Sequence, residues 1–271
     1  MPYNLRAKQN EMNRIRRVDV LGCPFDAISF SDTESEIRRA ILDGRSMQIV
    51  PGNIDMVMKA RCSSSFAKRL WKADLVIADG KPIVWAASLL GKPIRGRVSG
   101  TDLIWRCAAL SAQDGWAIAL IGGMGNVAAR AAQKMRERYP TAKLHAFPTP
   151  MPLSENESAA LVIRIKASGA KVVLAALGAP RQEEWIASHL AKSGALIGIG
   201  VGSAFDIISG DKPRAPQWMQ DFGFEWFCRM LQDPWRLGKR YLVEDSPFLY
   251  HLTLAVLRRN RQMAKGRYEE A

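Results

Sequence analysis

One short stretch, Val76-Ile77-Ala78-Asp79-Gly80-Lys81-Pro82, carries residue types that could do chemistry. The apolar run Leu75 to Ala78 reads as a buried strand that stops at a carboxylate. Gly80 and Pro82 then turn the chain into a helix. Asp79 therefore falls at the carboxyl end of a strand, where open α/β sheets hold their ligands. A carboxylate there has two possible jobs. It caps the helix that follows, or it is a general base held near a reacting hydroxyl and away from bulk water.

Other segments repeat the strand–turn–helix pattern. Gly122-Gly123-Met124-Gly125-Asn126 follows an apolar run and opens a helix, the setting of a phosphate cradle. Read from Gly123 it spells G-x-G-x-x-A, ending at Ala128, which is one form of a dinucleotide fingerprint. The acid that would hold a ribose is missing, because the next strand ends at Phe147-Pro148. A Rossmann-type NAD(P)-binding oxidoreductase is thus the alternative reading, and a plain tight turn is the simplest. In Leu177-Gly178-Ala179-Pro180-Arg181-Gln182, Gln182 stands in a first helical turn, either as a neutral donor to sugar or phosphate oxygens or as ordinary helix-start polarity. In Arg97-Val98-Ser99-Gly100-Thr101-Asp102, Thr101 or Asp102 suits a helix cap. Arg229, Arg236, Lys239 and Arg240 lie on a helical stretch interrupted by Pro234. Cations converging there could hold a diphosphate leaving group, or they serve solubility and membrane attraction.

The elements that must position these residues alternate regularly. Strands are expected at 47–50, 75–78, 117–121, 143–147, 172–176 and 196–201. Helices are expected near 34–42, 54–70, 83–90, 103–112, 126–139, 155–168 and 182–190. This order predicts an α/β, Rossmann-like, mostly parallel sheet flanked by helices. Beyond about Gly210 strands stop, and Pro213, Pro216, Pro234 and Pro247 punctuate short helices. The expected organisation is a mobile N-terminal arm over 1–17, an α/β catalytic domain over 18–210, and a basic helical C-terminal appendage over 211–271 facing membrane and substrate.

Composition narrows the classes. The chain has 271 residues, is 48% hydrophobic and carries a formal charge of +13. Eleven Lys or Arg face five acids between Lys212 and Arg267. Such a surplus attracts phosphate, whether on a nucleotide, an anionic lipid or a nucleic acid. Phe248 to Leu257 is apolar and runs into Arg258, Arg259 and Arg261, which suits a helix lying in a lipid interface or one docking on the core. No run reaches the roughly 20 apolar residues of a membrane span, and the first residues lack a signal-peptide core. The four cysteines are widely separated, with neither zinc nor redox spacing. No Asp-x-Asp, P-loop or histidine–nucleophile pairing occurs.

Taken in order, these motifs resemble the WecG/TagA/CpsF family of glycosyltransferases. The likeness rests on Asn53, Ala78-Asp79-Gly80, Arg97-Val98-x-Gly100-x-Asp102, Gly122-Gly123 and Leu177-Gly178-x-Pro180-x-Gln182-Glu183. It continues through Gly200-Val201-Gly202-x-x-Phe205-Asp206, Arg214-Ala215-Pro216 and Glu225-Trp226-x-x-Arg229-x-x-x-x-Pro234-x-Arg236. It implies inverting, metal-independent transfer from a UDP-sugar to a polyprenyl-diphosphate-linked saccharide in bacterial surface polysaccharide synthesis. The enzyme would work as a peripheral protein on the cytoplasmic face of the plasma membrane, on an anionic membrane surface. No cofactor and no nucleic-acid partner are expected, and self-association is left open. By resemblance Asp79 is the base, and Asn53 and Gln182 meet the acceptor. Gly122, Gly123, Arg97, Asp102, Arg229, Arg236, Lys239 and Arg240 meet the nucleotide and diphosphate. Two positions depart from the family pattern. Pro51 stands where Thr is common, and Lys239 where Arg is, which replaces a bidentate fork with a point charge.

Overall fold

A computed structural model describes residues 15–269 of the chain, without the side chains of Arg236 and of residues 265–269. Most of the expected N-terminal arm lies outside the described residues, and Arg17 already begins a strand. The main sheet has six strands: β3 (Met47–Gly52), β4 (Leu75–Ala78), β5 (Ala117–Gly122), β6 (Lys143–Phe147), β7 (Ala170–Ala176) and β8 (Ile197–Gly200). Their order is β4-β3-β8-β7-β5-β6, and every pairing is parallel. The carboxyl ends therefore share one rim.

Five of the six strands are buried from end to end or nearly so, as a sheet covered on both faces requires. Alternate residues feed opposite cores. In β5, Ile118 and Leu120 join one cluster, while Ala119 and Ile121 join the other face. Edge strand β6 alternates exposed and buried positions instead.

The first two strands, β1 (Arg17–Val20) and β2 (Cys23–Asp26), are absent from the expected list. They form an antiparallel hairpin beside β4. Its turn puts Leu21 and Gly22 at φ +56° and +90°, the paired positive angles a two-residue hairpin loop favours. Asp26, buried in this hairpin, takes both Arg17 and the Val76 amide, at 2.8 and 2.6 Å. That contact ties the hairpin to the start of β4.

The helix expected over 54–70 is two helices, α2 (Ile54–Cys62) and α3 (Ser64–Lys72), following α1 (Phe30–Leu42). Ser63 breaks the run: it is extended, and its hydroxyl accepts the Phe66 amide. The remaining domain helices are α4 (Lys81–Leu89), α5 (Gly100–Asp114), α6 (Val127–Arg138), α7 (Glu155–Ser168), α8 (Arg181–His189) and α9 (Ala204–Ile208).

After Gly210 the chain is helical, with α10 (Gln217–Asp221), α11 (Glu225–Gln232), α12 (Pro234–Lys239), a π-turn over Arg240–Glu244, and α13 (Pro247–Glu269). This segment is docked. Phe248 and Leu252 join the core around α2 and β4, and Arg259 donates to the Leu89 carbonyl at 3.0 Å. Gly223 packs so closely on α4 that a Cβ there would lie 2.7 Å from the Trp85 ring. Among the described residues no helix is long and apolar enough to cross a membrane.

Candidate active site

Asp79 is placed by backbone on three sides. Its amide donates to Gly52 of β3 at 2.8 Å, and the Val98 amide donates to Ala78 at 2.9 Å. The second bond extends the edge of β4 with the loop carrying Arg97. Gly100, first residue of α5, lies against the carboxylate: a Cβ built on it would sit 3.7 Å from Asp79 Oδ2 and 3.5 Å from Pro51. Asp79 does not cap the next helix. Gly80 is the cap residue of α4, at φ +133° and with no side-chain cap bond. A side chain is strained at that angle, so a glycine belongs there. The capping reading of Asp79 is thereby removed, and its carboxylate is left facing the groups around it.

Those groups are charged. Burial pushes the Asp79 carboxyl above the ordinary aspartate range. Arg229 opposes the shift most, Glu225 adds to it, and Arg97 and the Gly100 amide oppose it. Arg97 comes from the loop between α4 and α5, whereas Glu225 and Arg229 sit one turn apart on α11. Glu225 holds both arginines, Arg229 Nη2 at 2.7 Å and Arg97 Nη1 at 3.3 Å. Arg97 also reaches the Gln220 carbonyl and Asp102, each at 3.5 Å. Arg214 pairs with Asp102 at 2.6 Å. The Nε atoms of Arg214 and Arg229 are buried without a hydrogen-bond partner, so both guanidinium groups keep donor capacity in reserve.

Asp102 thus holds arginines, and Ser99 caps α5, accepting the Asp102 amide at 3.4 Å. Neither Thr101 nor Asp102 serves as that cap. Asn53 is the cap of α2: its Oδ1 accepts the Met56 amide at 3.2 Å, next to the rim end of β3. Gln182 is buried, with Oε1 accepting the Gly202 amide at 3.1 Å and Nε2 donating to Glu183 at 2.8 Å. Both ends of its amide already engage the protein.

Gly122 and Gly123 end β5 at φ +85° and +75°. A Cβ on Gly122 would meet the Ala176 carbonyl at 2.5 Å, and the Gly123 amide donates to that same carbonyl at 3.0 Å. These glycines seat β5 tightly on β7. The start of α6 just beyond them has no side-chain cap, and the amide of its first residue, Val127, donates to the Met124 carbonyl at 3.2 Å.

The remaining cations divide. Arg240 lies at 3.6 Å from Asp55 and 3.5 Å from Asp245, so it secures the π-turn to α2. Burial pushes the Asp245 carboxyl up to about 6 despite Arg240. Lys239 is exposed and makes no ion pair among the described residues. The Arg236 side chain lies outside the described residues. Sequence reasoning passed over two residues as site members: Glu225 and Arg214. The first had a signal, since Glu and Arg four apart on a helix pair readily.

The site is an anion-receptive rim with a carboxylate at its centre, the outline of a group-transfer enzyme. Residues 18–262 match the Glycosyl transferase WecG/TagA/CpsF family, and the chain belongs to that family of glycosyltransferases. An N-acetylglucosaminyldiphosphoundecaprenol N-acetyl-beta-D-mannosaminyltransferase of Staphylococcus aureus strain MW2 is 27% identical over 250 residues, covering 90% of this chain and 95% of the relative. The protein of the same description from strain MRSA252 is 26% identical over the same length and shares. Neither the site nor the comparisons support a dinucleotide oxidoreductase.

Proposed function

We propose that this glycosyltransferase moves a sugar from a UDP-sugar to a polyprenyl-diphosphate-linked saccharide, inverting the anomeric centre without a metal. The single observation that carries the reading is the placement of Asp79 at a strand end beside Arg97 and Arg229. Asp79 accepts the proton of the acceptor hydroxyl as the oxygen attacks the anomeric carbon. On the opposite face the bond to UDP breaks, and arginine forks take up the charge developing on the diphosphate. A carboxyl held above its ordinary range is a better base than a solvated one.

The acceptor class follows from the relatives' description, which names a diphosphoundecaprenol-linked N-acetylglucosamine. N-acetylmannosamine, its uronic acid and glucose are the donor sugars to try first. We also assign the enzyme to the cytoplasmic face of a bacterial membrane, in surface polysaccharide synthesis. Trp235, 94% exposed, stands with Leu242, Leu249 and Tyr250 outside the core near the basic C-terminal helices. Apolar side chains beside Lys and Arg suit an anionic lipid interface.

The test is a donor screen with a short-chain lipid diphosphate N-acetylglucosamine acceptor, run with and without chelator. Product from one UDP-sugar, unaffected by chelator and of inverted configuration, is expected. No product from any UDP-sugar would overturn the donor assignment, and loss of product with chelator would overturn metal independence.

A further inference from the structure

We propose that Glu225 is a positioning residue: it ties Arg97 to Arg229 beside Asp79 and offsets their combined charge there. The inference rests on the proposed role of Asp79 as the base, and it assigns the tuning of that base to a carboxylate on the C-terminal helical segment.

The geometry is a bridge across the molecule. Glu225 uses one oxygen for each arginine, Oε1 for Arg229 at 2.7 Å and Oε2 for Arg97 at 3.3 Å. Arg97 and Glu225 are 128 residues apart in sequence, and their side chains are largely buried. A buried carboxylate between two guanidinium groups fixes the distance between them. It leaves the unpartnered Nε of Arg229 as a donor for another acceptor.

The charge balance gives the bridge a second consequence. Asp79 faces Arg97 from the loop between α4 and α5, Arg229 and Glu225 from α11, and the Gly100 amide from α5. Behind them, Asp102 and Arg214 pair with each other and Asp102 with Arg97, while Tyr241 faces Arg229. Two arginines unopposed would hold Asp79 ionised and weakly basic. Glu225 supplies the negative charge that cancels part of their pull. Its appearance on a segment otherwise rich in Lys and Arg thus has a use.

Three variants separate the tie from the charge. Glu225→Gln keeps an oxygen that can accept from an arginine but removes the charge. The acid limb of its kcat/KM profile is expected to move down by about one pH unit, with the donor KM little changed. Glu225→Ala removes both, so its donor KM is expected to rise as well. Glu244→Gln, at an exposed position on the same segment, is the charge-matched control and should leave the limb where it is. In parallel, carbon-13 NMR on aspartate-labelled protein follows the Asp79 carboxyl, assigned by its loss in Asp79→Asn. Its titration should move down in Glu225→Gln. An unshifted titration in a folded Glu225→Gln protein overturns the proposal. If the unsubstituted enzyme transfers no sugar, the functional reading fails, and the NMR titration still decides the role of Glu225.

Discussion

Two regions of the rim have the same local plan of strand, glycine turn and helix, and each presents a carboxyl withdrawn from water, half-buried at Asp79 and fully buried at Glu183. At the β4 end Asp79 faces Arg97, Arg229 and Glu225. At the β7–β8 end Glu183 is 1% exposed, and burial pushes its carboxyl up to about 7. The Gln182 amide covers one of its oxygens, and the other has no hydrogen-bond partner. Gly200 is pressed against both side chains, with a hypothetical Cβ 2.6 Å from Gln182 Nε2 and 2.8 Å from Glu183 Oε1. Both carboxyls are raised by desolvation. Asp79 has two arginines beside it, whereas the cation acting on Glu183 is Lys59, which is already paired with Asp55 at 2.8 Å. A raised carboxyl therefore does not by itself mark a base; its neighbours decide whether it meets substrate or closes a core.

The comparison breaks or holds first at Asp79. Asp79→Asn is expected to keep the fold and UDP binding and to lose roughly 10²- to 10⁴-fold in turnover, the usual worth of a general base. Circular dichroism and UDP titration would check the first part and a single-turnover assay the second. Near-normal turnover on the true acceptor would remove Asp79 from the chemistry and make the two regions equivalent. With the unsubstituted enzyme, activity should fall as pH drops through a limb above the ordinary aspartate range, because the base must be unprotonated.

Arg229 comes next. Arg229→Ala is expected to lower kcat/KM by about 10²-fold, a typical loss for one stabilising donor at developing charge. Arg229→Lys should recover only part, since a point charge cannot reproduce a fork that holds Glu225 while offering Nε elsewhere. A full recovery in Arg229→Lys would show that charge alone matters at this position. Trp235→Ser should weaken co-sedimentation with anionic vesicles a few-fold while leaving transfer to a short, soluble acceptor unchanged. Equal loss in both assays would place Trp235 at the site rather than at a lipid surface.

Much of this was legible in the chain, for identifiable reasons. Apolar runs announced the strands of the sheet, unbroken in most and interrupted by Lys143 and His145 in β6, with β4 and β6 at their observed bounds. Gly80 and Pro82 announced the turn that leaves Asp79 at the rim. The β1–β2 hairpin was not legible, because Cys23-Pro24-Phe25 is short and contains proline, and its hold comes from Asp26 reaching Val76 across 50 residues. The break at Ser63 was visible only as a run of serines. Asn53 and Gln182 show the other limit. Their positions could be read, but the bonds that occupy them, to Met56 and to Gly202 and Glu183, depend on packed geometry. The tie from Arg97 to Glu225 is a tertiary fact of the same kind.

A small effect on turnover, and the sharpest contrast with Asp79, is expected at Glu183. Its carboxyl sits near 4.5 in an unfolded chain and about 7 in the folded one. Between those values the folded protein holds a proton that the unfolded chain has released. The stabilisation is fully present at low pH and is lost as pH rises toward and past 7. A shift of that size corresponds to about 3 kcal/mol at most. Glu183→Gln cannot ionise, so it should lack this slope. It pays a constant cost for an amide nitrogen placed where Oε2 has no partner, and it should gain on the unsubstituted protein from pH 5 to pH 8. Urea unfolding at the two pH values measures the difference, and transfer assays at pH 7 should change no more than a few-fold. A difference in stability that is the same at both pH values would mean that Glu183 is charged in its pocket. A loss of turnover rivalling that of Asp79→Asn would mean that the β7–β8 rim, and not only the β4 rim, takes part in the chemistry.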